Sequence, residues 1–448
     1  MSRQPAPRQT QPVPPRRDML RARPLRQTLL LCSLGLACLS LPAQAATLSL
    51  WTMGMKPRFT AYFEDAIKRY QASHPGQQIE WADYPYEVVQ TRFAAASAAG
   101  KPPALLQLNV PWAEEYARKG LLVPVDAELG KGYLSGPLAD LRFDGKTWGF
   151  PHYTNVNVLA YNKTLLQQAG IAQPPQTLEQ ILATAAQIAA KTGQAGFAPP
   201  LGKIDNYFLQ QGLPLVKDGK AVFNSPAHVA FLQKFRTAYA QKALLKDGLF
   251  AENNFSQVLA AYNSRRLAMM LGATSVIKRV QGDAPAVFAD TGIAAAPLGP
   301  SGIADGGWLF HFAVPKQGDT SIQTQAMELA RFLTNDANQL AFAREAGVFP
   351  TSTQAAADPW FAQLPAKADA NDLARQQAGR SVAQARTLFV SGIADYPRLQ
   401  RSLVRATEAG VSGREPLQQA LDGAVAEWNR ALTRNAETVA AGKPQAAR

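Results

Sequence analysis

The order of apolar and polar residues predicts alternating strands and helices. Residues 46–53 place apolar side chains at alternate positions, which predicts a strand. Apolar residues then recur at helical spacing from Phe59 to Tyr70. The next predicted elements are a strand at 79–82, a helix at 92–99, a strand at 104–108 and a helix at 112–119.

This alternation is typical of an α/β layer with a mostly parallel sheet. Ligands of such sheets bind outside the carboxyl ends of the strands. The rule singles out the residues that follow the first three strands, namely 51–58, 84–87 and 109–112.

A second alternation of predicted strands and helices follows. Its predicted strands are 156–160, 267–271, 292–295 and 309–314, and its predicted helices are 178–191, 227–241, 254–264, 322–333 and 417–432. The polar residues 435–448 are predicted to form a flexible tail. No repeat with a period of 20–50 residues occurs, which argues against solenoids and propellers.

The first 45 residues have the pattern of a secretory signal peptide. They carry seven arginines against one acid, then an uncharged run from Thr28 to Leu41, then Ala43-Gln44-Ala45. The apolar run is too short to span a bilayer, and the small residues fit a cleavage site. We therefore expect cleavage before Ala46 and a protein exported to the periplasm or the exterior of the cell envelope.

Two features of this segment leave the export route open. Arg16-Arg17 is similar to a twin-arginine signal, but Met19 is an alternative start that would remove the pair. Cys38 follows a glycine-containing segment that fits a lipoprotein cleavage site poorly, so a lipid anchor is not expected.

The net charge and the number of cysteines both change when residues 1–45 are left out. The 448-residue chain carries a net charge of +13, whereas residues 46–448 hold 39 basic and 32 acidic groups, a net +7. Both cysteines, Cys32 and Cys38, lie in the leader, which excludes disulfides, cysteine metal ligands and cysteine nucleophiles from the mature chain. No basic stripe with interleaved aromatic residues is present, so no nucleic-acid partner is expected.

Motifs for common chemistry are absent or weak. The four histidines are far apart in sequence, so neither a metal site nor a cofactor is predicted. Gly130, Gly132 and Gly136 are spaced one residue too far for a dinucleotide fingerprint, and neither a phosphate-binding loop nor a nucleophile elbow occurs. A secreted glycan-active enzyme stays open as a remote alternative, because its carboxylate pair is defined only in space.

Aromatic residues, by contrast, gather next to predicted strand ends. Trp51 lies at the end of the first predicted strand, and Trp112 lies beside Asn109 after the third predicted strand. Tyr153 ends an aromatic run that begins at Trp148, and Trp308 precedes the predicted strand at 309–314. Sugars stack their C–H faces on flat rings and need fixed partners for their hydroxyl groups. The set therefore favours a saccharide or polyol ligand.

Several motifs resemble those of the solute-binding proteins of bacterial ABC importers, specifically the sugar-binding family that includes maltose-binding and glycerol-phosphate-binding proteins. The most specific stretch combines Gly145-Lys-Thr-Trp-Gly-Phe-Pro, Tyr161-Asn-Lys, Ala169-Gly-Ile and Pro174-Pro-Gln-Thr. Further similar segments are 268–272, 332–334 and 347–351.

The resemblance implies a two-lobed periplasmic-binding-protein fold of type II, whose lobes close over ligand by a hinge motion. It implies lobe 1 at 46–153 plus 290–315 and lobe 2 at 154–289 plus 316–434, with crossings near 152–155, Asp290 and Pro315. The positions that correspond to family ligand contacts, together with Ser275 after the strand at 267–271, are Trp51, Lys56, Asn109, Trp112, Tyr153, Tyr207, Ser275, Trp308 and Tyr396.

The implied function is capture of a carbohydrate and its delivery to the transmembrane permease subunits by a monomeric, non-enzymatic protein. A sugar phosphate, a glycerol derivative or a polyol osmolyte is the alternative ligand, because Lys56, Arg58 and Lys203 supply cations. Two departures from the family pattern stand out. Pro103-Ala104 replaces Pro-Asp, and Ala273-Thr274-Ser275 replaces an aromatic platform, which argues against long maltodextrin-like ligands.

Overall fold

Two β-sheets with flanking helices organise the chain. A computed structural model describes residues 46–129, 132–393 and 396–440. The predicted signal peptide, with both cysteines, and residues 441–448 of the predicted tail lie outside the described residues.

Every strand and helix predicted from the sequence is present among the described residues, and the structure adds further elements of both kinds. The strands are β1 (Ala46–Met53), β2 (Gln77–Tyr84), β3 (Leu105–Asn109), β4 (Arg142–Phe143), β5 (Lys146–Thr147), β6 (Phe150–Thr154), β7 (Asn157–Asn162), β8 (Ala195–Ala198), β9 (Val216–Lys217), β10 (Lys220–Ala221), β11 (Leu267–Ala273), β12 (Thr291–Ala295), β13 (Phe310–Ala313) and β14 (Phe349–Pro350). The helices are α1 (Thr60–Ser73), α2 (Tyr86–Ala98), α3 (Val110–Arg118), α4 (Ser135–Asp140), α5 (Lys163–Gln168), α6 (Leu178–Thr192), α7 (Ile204–Gln210), α8 (Pro226–Ala240), α9 (Phe255–Asn263), α10 (Thr274–Asp283), α11 (Pro285–Ala289), α12 (Thr320–Leu333), α13 (Asp336–Ala346), α14 (Thr353–Ala356), α15 (Ala370–Ser381), α16 (Tyr396–Val411) and α17 (Leu417–Ala440).

The first sheet has the order β14-β6-β13-β3-β1-β2, and the second has the order β12-β7-β11-β8. Strand β1 pairs in parallel with β2 and β3, and β11 pairs in parallel with β8. The pairs β13–β3, β13–β6, β14–β6, β11–β7 and β12–β7 are antiparallel. The two-sheet α/β class is confirmed, but both sheets are mixed and not mostly parallel, because β13 and β7 run against their neighbours.

The structure also corrects the predicted lobe boundaries. Strand β12 lies in the second sheet, so lobe 1 does not include 291–295. Helix α12 packs on β1, β3 and β6, and β14 pairs with β6, so residues 320–350 belong with the first sheet and the chain does not cross near Pro315. Strand pairing between distant segments decides membership, and the order of elements along the chain does not reveal it.

The predicted tail begins too early as well. Helix α17 continues to Ala440, so residues 435–440 are helical. Within the described residues, no helix combines the length and the apolar character that crossing a membrane requires.

The passage from β6 to β7 places the two sheets edge to edge. Only Asn155 and Val156 separate the end of β6 in the first sheet from the start of β7 in the second. The carboxyl ends of β1, β2, β3 and β6 share one edge of the first sheet, and those of β8, β11 and β12 share the edge of the second sheet at which β7 begins. These two edges therefore face each other across the hinge.

One apolar core runs behind this hinge. It joins Leu48 and Leu50 of the first sheet to Val158 and Ala160 of the second through buried residues that include Phe342. The opposite face of the second sheet packs on α6, α8, α16 and α17, and the opposite face of the first packs on α2 and α3. Strands β3, β7, β8 and β11 are therefore buried on both faces, which explains their near-continuous apolar runs, whereas β2 at the edge of the first sheet keeps exposed positions.

Two buried histidines lie within the first sheet. His152 and His311 are 1% and 0% exposed, and neither ring nitrogen of His311 has a hydrogen-bond partner among the described residues. Burial lowers the pKa of each imidazole to about 3. Both rings are neutral in the folded protein, whereas the unfolded chain binds protons below pH ~6.5.

We therefore expect the free energy of unfolding to fall as pH decreases from about 6.5 toward 3, by roughly 1–2 kcal/mol per histidine between pH 7.5 and pH 5. Urea unfolding of His311→Leu should show a shallower dependence on pH than the wild type. The control Phe312→Leu should lower stability equally at both pH values. Identical pH dependence in the wild type and His311→Leu would contradict this account.

Candidate functional site

The start of helix α3 forms one wall of the candidate site. Asn109 ends β3, and its side-chain oxygen accepts a hydrogen bond from the backbone N–H of Trp112 at 2.9 Å, which caps the helix. Its amide nitrogen donates to the hydroxyl oxygen of Tyr86 at 2.5 Å. The rings of Tyr86 and Trp112 lie 4.5 Å apart between centroids, so Asn109 fixes the backbone at Trp112 and binds the hydroxyl of the ring that packs on it.

The turn after β1 is held by a carboxylate from β2. Asp83 accepts hydrogen bonds from the hydroxyl of Thr52 at 2.6 Å and from the backbone N–H groups of Met55 and Lys56 at 2.9 and 3.1 Å. The ammonium group of Lys56 lies 4.2 Å from the ring centroid of Trp81. The backbone of this loop is therefore fixed, while the Lys56 side chain covers Trp81.

Further rings lie along the same edge of the first sheet. Trp51 is half-buried and meets Tyr84 edge-on, with centroids 4.9 Å apart. Tyr153 is buried and stacks on Phe310 at 5.0 Å, because β6 and β13 are paired at these residues. Burial holds the pKa of the Tyr153 hydroxyl above its ordinary value, so this group stays protonated.

The segment between β12 and β13 contributes a carboxylate and an exposed ring. Asp305 is half-buried, and one of its oxygens accepts the side-chain N–H of Asn157 at 2.8 Å. Burial raises the pKa of Asp305, against the lowering effect of the hydrogen bonds from Asn157 and the Gly306 backbone. Gly306 has φ 81°, and a Cβ there would approach the Asn157 amide to 2.6 Å, so only glycine fits this close contact.

Trp308 is 39% exposed, and the ammonium group of Lys203 lies 4.6 Å from its ring centroid. Because Phe310 pairs with both Asn109 and Tyr153, Trp308 extends beyond the edge of the sheet that carries them. The exposed Trp308 ring therefore lies at the facing edges. It has the Lys203 ammonium group above it, and the Asp305 carboxylate precedes it by three residues in the chain.

The second lobe supplies the predicted residues Tyr207, Ser275 and Tyr396. Tyr207 is buried against Phe231 and Phe235, and its hydroxyl has no hydrogen-bond partner among the described residues. Burial, and secondarily the charge of Asp305, raise its pKa well above the ordinary value. Ser275 is half-buried in the first turn of α10.

Tyr396 has a defined partner inside the second lobe. Its hydroxyl donates to the buried carboxylate of Asp205 at 2.6 Å, and its ring meets Trp428 edge-on. Burial is the main cause that raises the pKa of Tyr396, followed by the Asp205 charge.

The described residues contain no group of three or more histidine, cysteine, aspartate or glutamate side chains positioned to hold a metal ion. The side chains described above supply aromatic rings, amides, hydroxyls and carboxylates, together with the ammonium groups of Lys56 and Lys203.

Residues 65–369 match the family described as bacterial extracellular solute-binding protein. The chain belongs to this family. Its members are binding proteins located outside the cytoplasm. A mannitol-binding protein of Pseudomonas aeruginosa is 25% identical over 353 residues, which is 72% of this chain and 78% of that protein. An sn-glycerol-3-phosphate-binding periplasmic protein, UgpB, of Escherichia coli is 27% identical over 241 residues, 47% of this chain and 54% of that one.

Solved structures have the same architecture. A candidate oligosaccharide periplasmic-binding protein from Synechococcus sp. MITs9220 superposes with a TM-score of 0.77 at 28% identity, covering 87% of this chain and 99% of that one. The sugar-binding protein MalE of Xanthomonas citri gives a TM-score of 0.72 at 20% identity, with 88% and 99% covered, and this likeness shows the fold.

For this solute-binding protein, the sequence-derived site residues divide into two groups. Trp51, Asn109, Trp112, Tyr153 and Trp308 lie along one edge of the first sheet and the segment that crosses from the second. Lys56 lies in the turn after β1 at the same edge, whereas Tyr207, Ser275 and Tyr396 lie on helices α7, α10 and α16. Their role as ligand contacts stays a prediction.

The structure adds Tyr86, Asn157 and Asp305, which sequence reasoning did not select. Tyr86 lies within the strand-end segment 84–87, so the signal for it was present. Asn157 and Asp305 are 148 residues apart in sequence, and no local pattern connects them.

Asn109→Ala should reduce stability by about 1 kcal/mol, because it removes the cap of α3, and should also alter the fluorescence of Trp112. Asn109→Ser retains a capping oxygen but loses the donor to Tyr86, so it should keep most of the stability. Urea unfolding followed by tryptophan emission measures both effects. Equal losses for the two variants would show that capping is not the main contribution.

Proposed function

We propose that the protein is the substrate-binding component of an ABC importer and captures a neutral carbohydrate in the cleft between its two lobes. The observation that carries the proposal is the exposed Trp308 ring at the facing strand edges, three residues after the half-buried Asp305 carboxylate. Membership in a solute-binding family and the sugar- and polyol-binding relatives support the same conclusion.

The aromatic rings suit a sugar ring. Trp308 and Tyr86 are 39% and 40% exposed, although large apolar side chains are usually covered. Both lie at the cleft edge, where burial of the C–H face of a sugar against a ring removes apolar surface from water. Lys203 covers Trp308 in this structure, so bound ligand would share or displace that contact.

The polar groups suit hydroxyls better than a phosphate. The Asp305 carboxylate accepts hydrogen bonds, and the Tyr207 hydroxyl has unused capacity. A phosphate near Asp305 would place two negative charges together at a partly buried site, which is unfavourable. The sugar-phosphate alternative is therefore not favoured, although Lys203 supplies one cation.

Capture requires differential affinity for two arrangements of the lobes. A ligand that contacts both lobes stabilises the closed arrangement, and the closed protein would then dock on the permease subunits. In this proposal the protein acts as a monomer, performs no catalysis and binds no nucleic acid.

The proposed function requires export, and we propose that the signal peptide is cleaved before Ala46. Strand β1 starts at Ala46, so cleavage before that residue leaves the first sheet intact. The intact mass of the protein recovered from the periplasm should correspond to a chain that begins at Ala46. A mass that retains residues before Ala46 would contradict the proposed cleavage site.

Calorimetric titration of residues 46–448 with a panel of sugars and polyols should identify a ligand. Trp308→Ala should weaken its binding by about tenfold, because it removes ring stacking. Leu364→Ala removes a side chain that is also 39% exposed and should not change affinity. Absence of binding across the neutral panel together with binding of glycerol phosphate would overturn the carbohydrate assignment.

A further inference from the structure

Residues 385–393, which we call the strap, connect the two lobes beside the cleft. The backbone N–H of Thr387 donates to the carboxylate of Asp140 at 2.8 Å, and the Thr387 hydroxyl donates to the carbonyl of Gly307 at 3.0 Å. Phe389 packs against the small cluster of Val110, Leu141 and Leu309. The first half of the strap therefore lies on the lobe 1 side, next to the segment that carries Trp308.

The second half of the strap packs on the other lobe. Val390 and Ile393 lie against the apolar cluster that α6, α8, α16 and α17 form on the second sheet. Ser391 and Gly392 lie between these two anchors. Any polar contact from Ser391 or Gly392 to lobe 1 consequently spans the lobes.

Glu114 of helix α3 makes that contact. Its oxygen Oε1 accepts the Ser391 hydroxyl at 2.5 Å and the Gly392 backbone N–H at 2.8 Å. The same oxygen pairs with the Arg118 guanidinium at 2.9 Å, and Arg118 also lies 3.4 Å from Asp144. Glu114 is only 5% exposed, so separation of the strap from α3 would leave a nearly buried carboxylate with fewer partners, which is costly.

The location of Glu114 relates this contact to ligand capture. Helix α3 starts at the cleft edge with Asn109 and Trp112, and Glu114 follows within the next turn. Separation of the facing edges would pull α3 away from residues 391–392.

We propose that Glu114 is a positioning residue that draws the facing edges together through Ser391 and Gly392, and thereby favours the closed arrangement and raises ligand affinity without touching ligand. The affinity effect rests on the proposed binding function, whereas the effect on lobe arrangement does not. A contact present in one arrangement and absent in the other shifts the equilibrium by its differential free energy.

Glu114→Gln tests the proposal, with Glu115→Gln as the matched control. Glu115 is the next residue on the same helix and forms an exposed pair with Lys119. Small-angle X-ray scattering of the ligand-free protein should show a larger radius of gyration for Glu114→Gln and no change for Glu115→Gln. For the ligand found by titration, Glu114→Gln should weaken affinity by about fivefold or more, and Glu115→Gln should not.

Ser391→Ala provides a second variant, because it removes one hydrogen bond and leaves Arg118 and Gly392 in place. It should change scattering and affinity in the same direction and by a smaller amount, and it serves alone if Glu114→Gln fails to fold. Wild-type scattering and affinity with only a lower Tm would overturn the proposal, since Glu114 would then be purely structural. Tighter binding of the ligand by Glu114→Gln than by the wild type would also overturn the proposal. A scattering change in a protein that binds no carbohydrate would support the positioning role and reject the proposed ligand.

Discussion

The two-residue link between β6 and β7 is the constraint on which the rest of the structure depends. Because only Asn155 and Val156 separate strands of different sheets, the edge that ends β6 must face the edge that begins β7. The loops that follow the strands at those edges then lie next to a shared space. The cleft is therefore a consequence of chain connectivity and does not depend on any single side chain.

Packing behind the link limits how the lobes can move. The core that contains Leu50, Phe342 and Val158 is continuous across both sheets, so full separation of the lobes would expose apolar surface. In the proposed capture, bending at the crossings would keep this core closed while the facing edges part. On the cleft side, the contact between Glu114 and the strap is proposed to oppose that bending. Buried apolar contacts and polar contacts therefore both affect the equilibrium between the open and closed arrangements.

The site combines residues that local patterns reveal with residues that they do not. Strand ends followed by Trp51, Asn109 and Trp112 are visible as apolar runs that stop at aromatic or amide side chains. Asp305 is different, because its significance depends on the hydrogen bond from Asn157, on the close approach of Gly306 and on the nearby Tyr207 hydroxyl. None of these relations has a spacing in sequence that could be recognised beforehand.

The sequence alone determined the alternation of strands and helices, the absence of cysteine from residues 46–448 and the resemblance to the family, because periodicity, composition and motifs are local properties of the chain. Tertiary structure alone decided that β12 joins the second sheet, that α12 and β14 return to the first, and that both sheets are mixed. It also decided which polar groups meet, such as Glu114 with Ser391, which are 277 residues apart. Those outcomes depend on pairing and burial between segments that are far apart in sequence. The free energy of such contacts depends on both segments, so no single stretch of the chain predicts it.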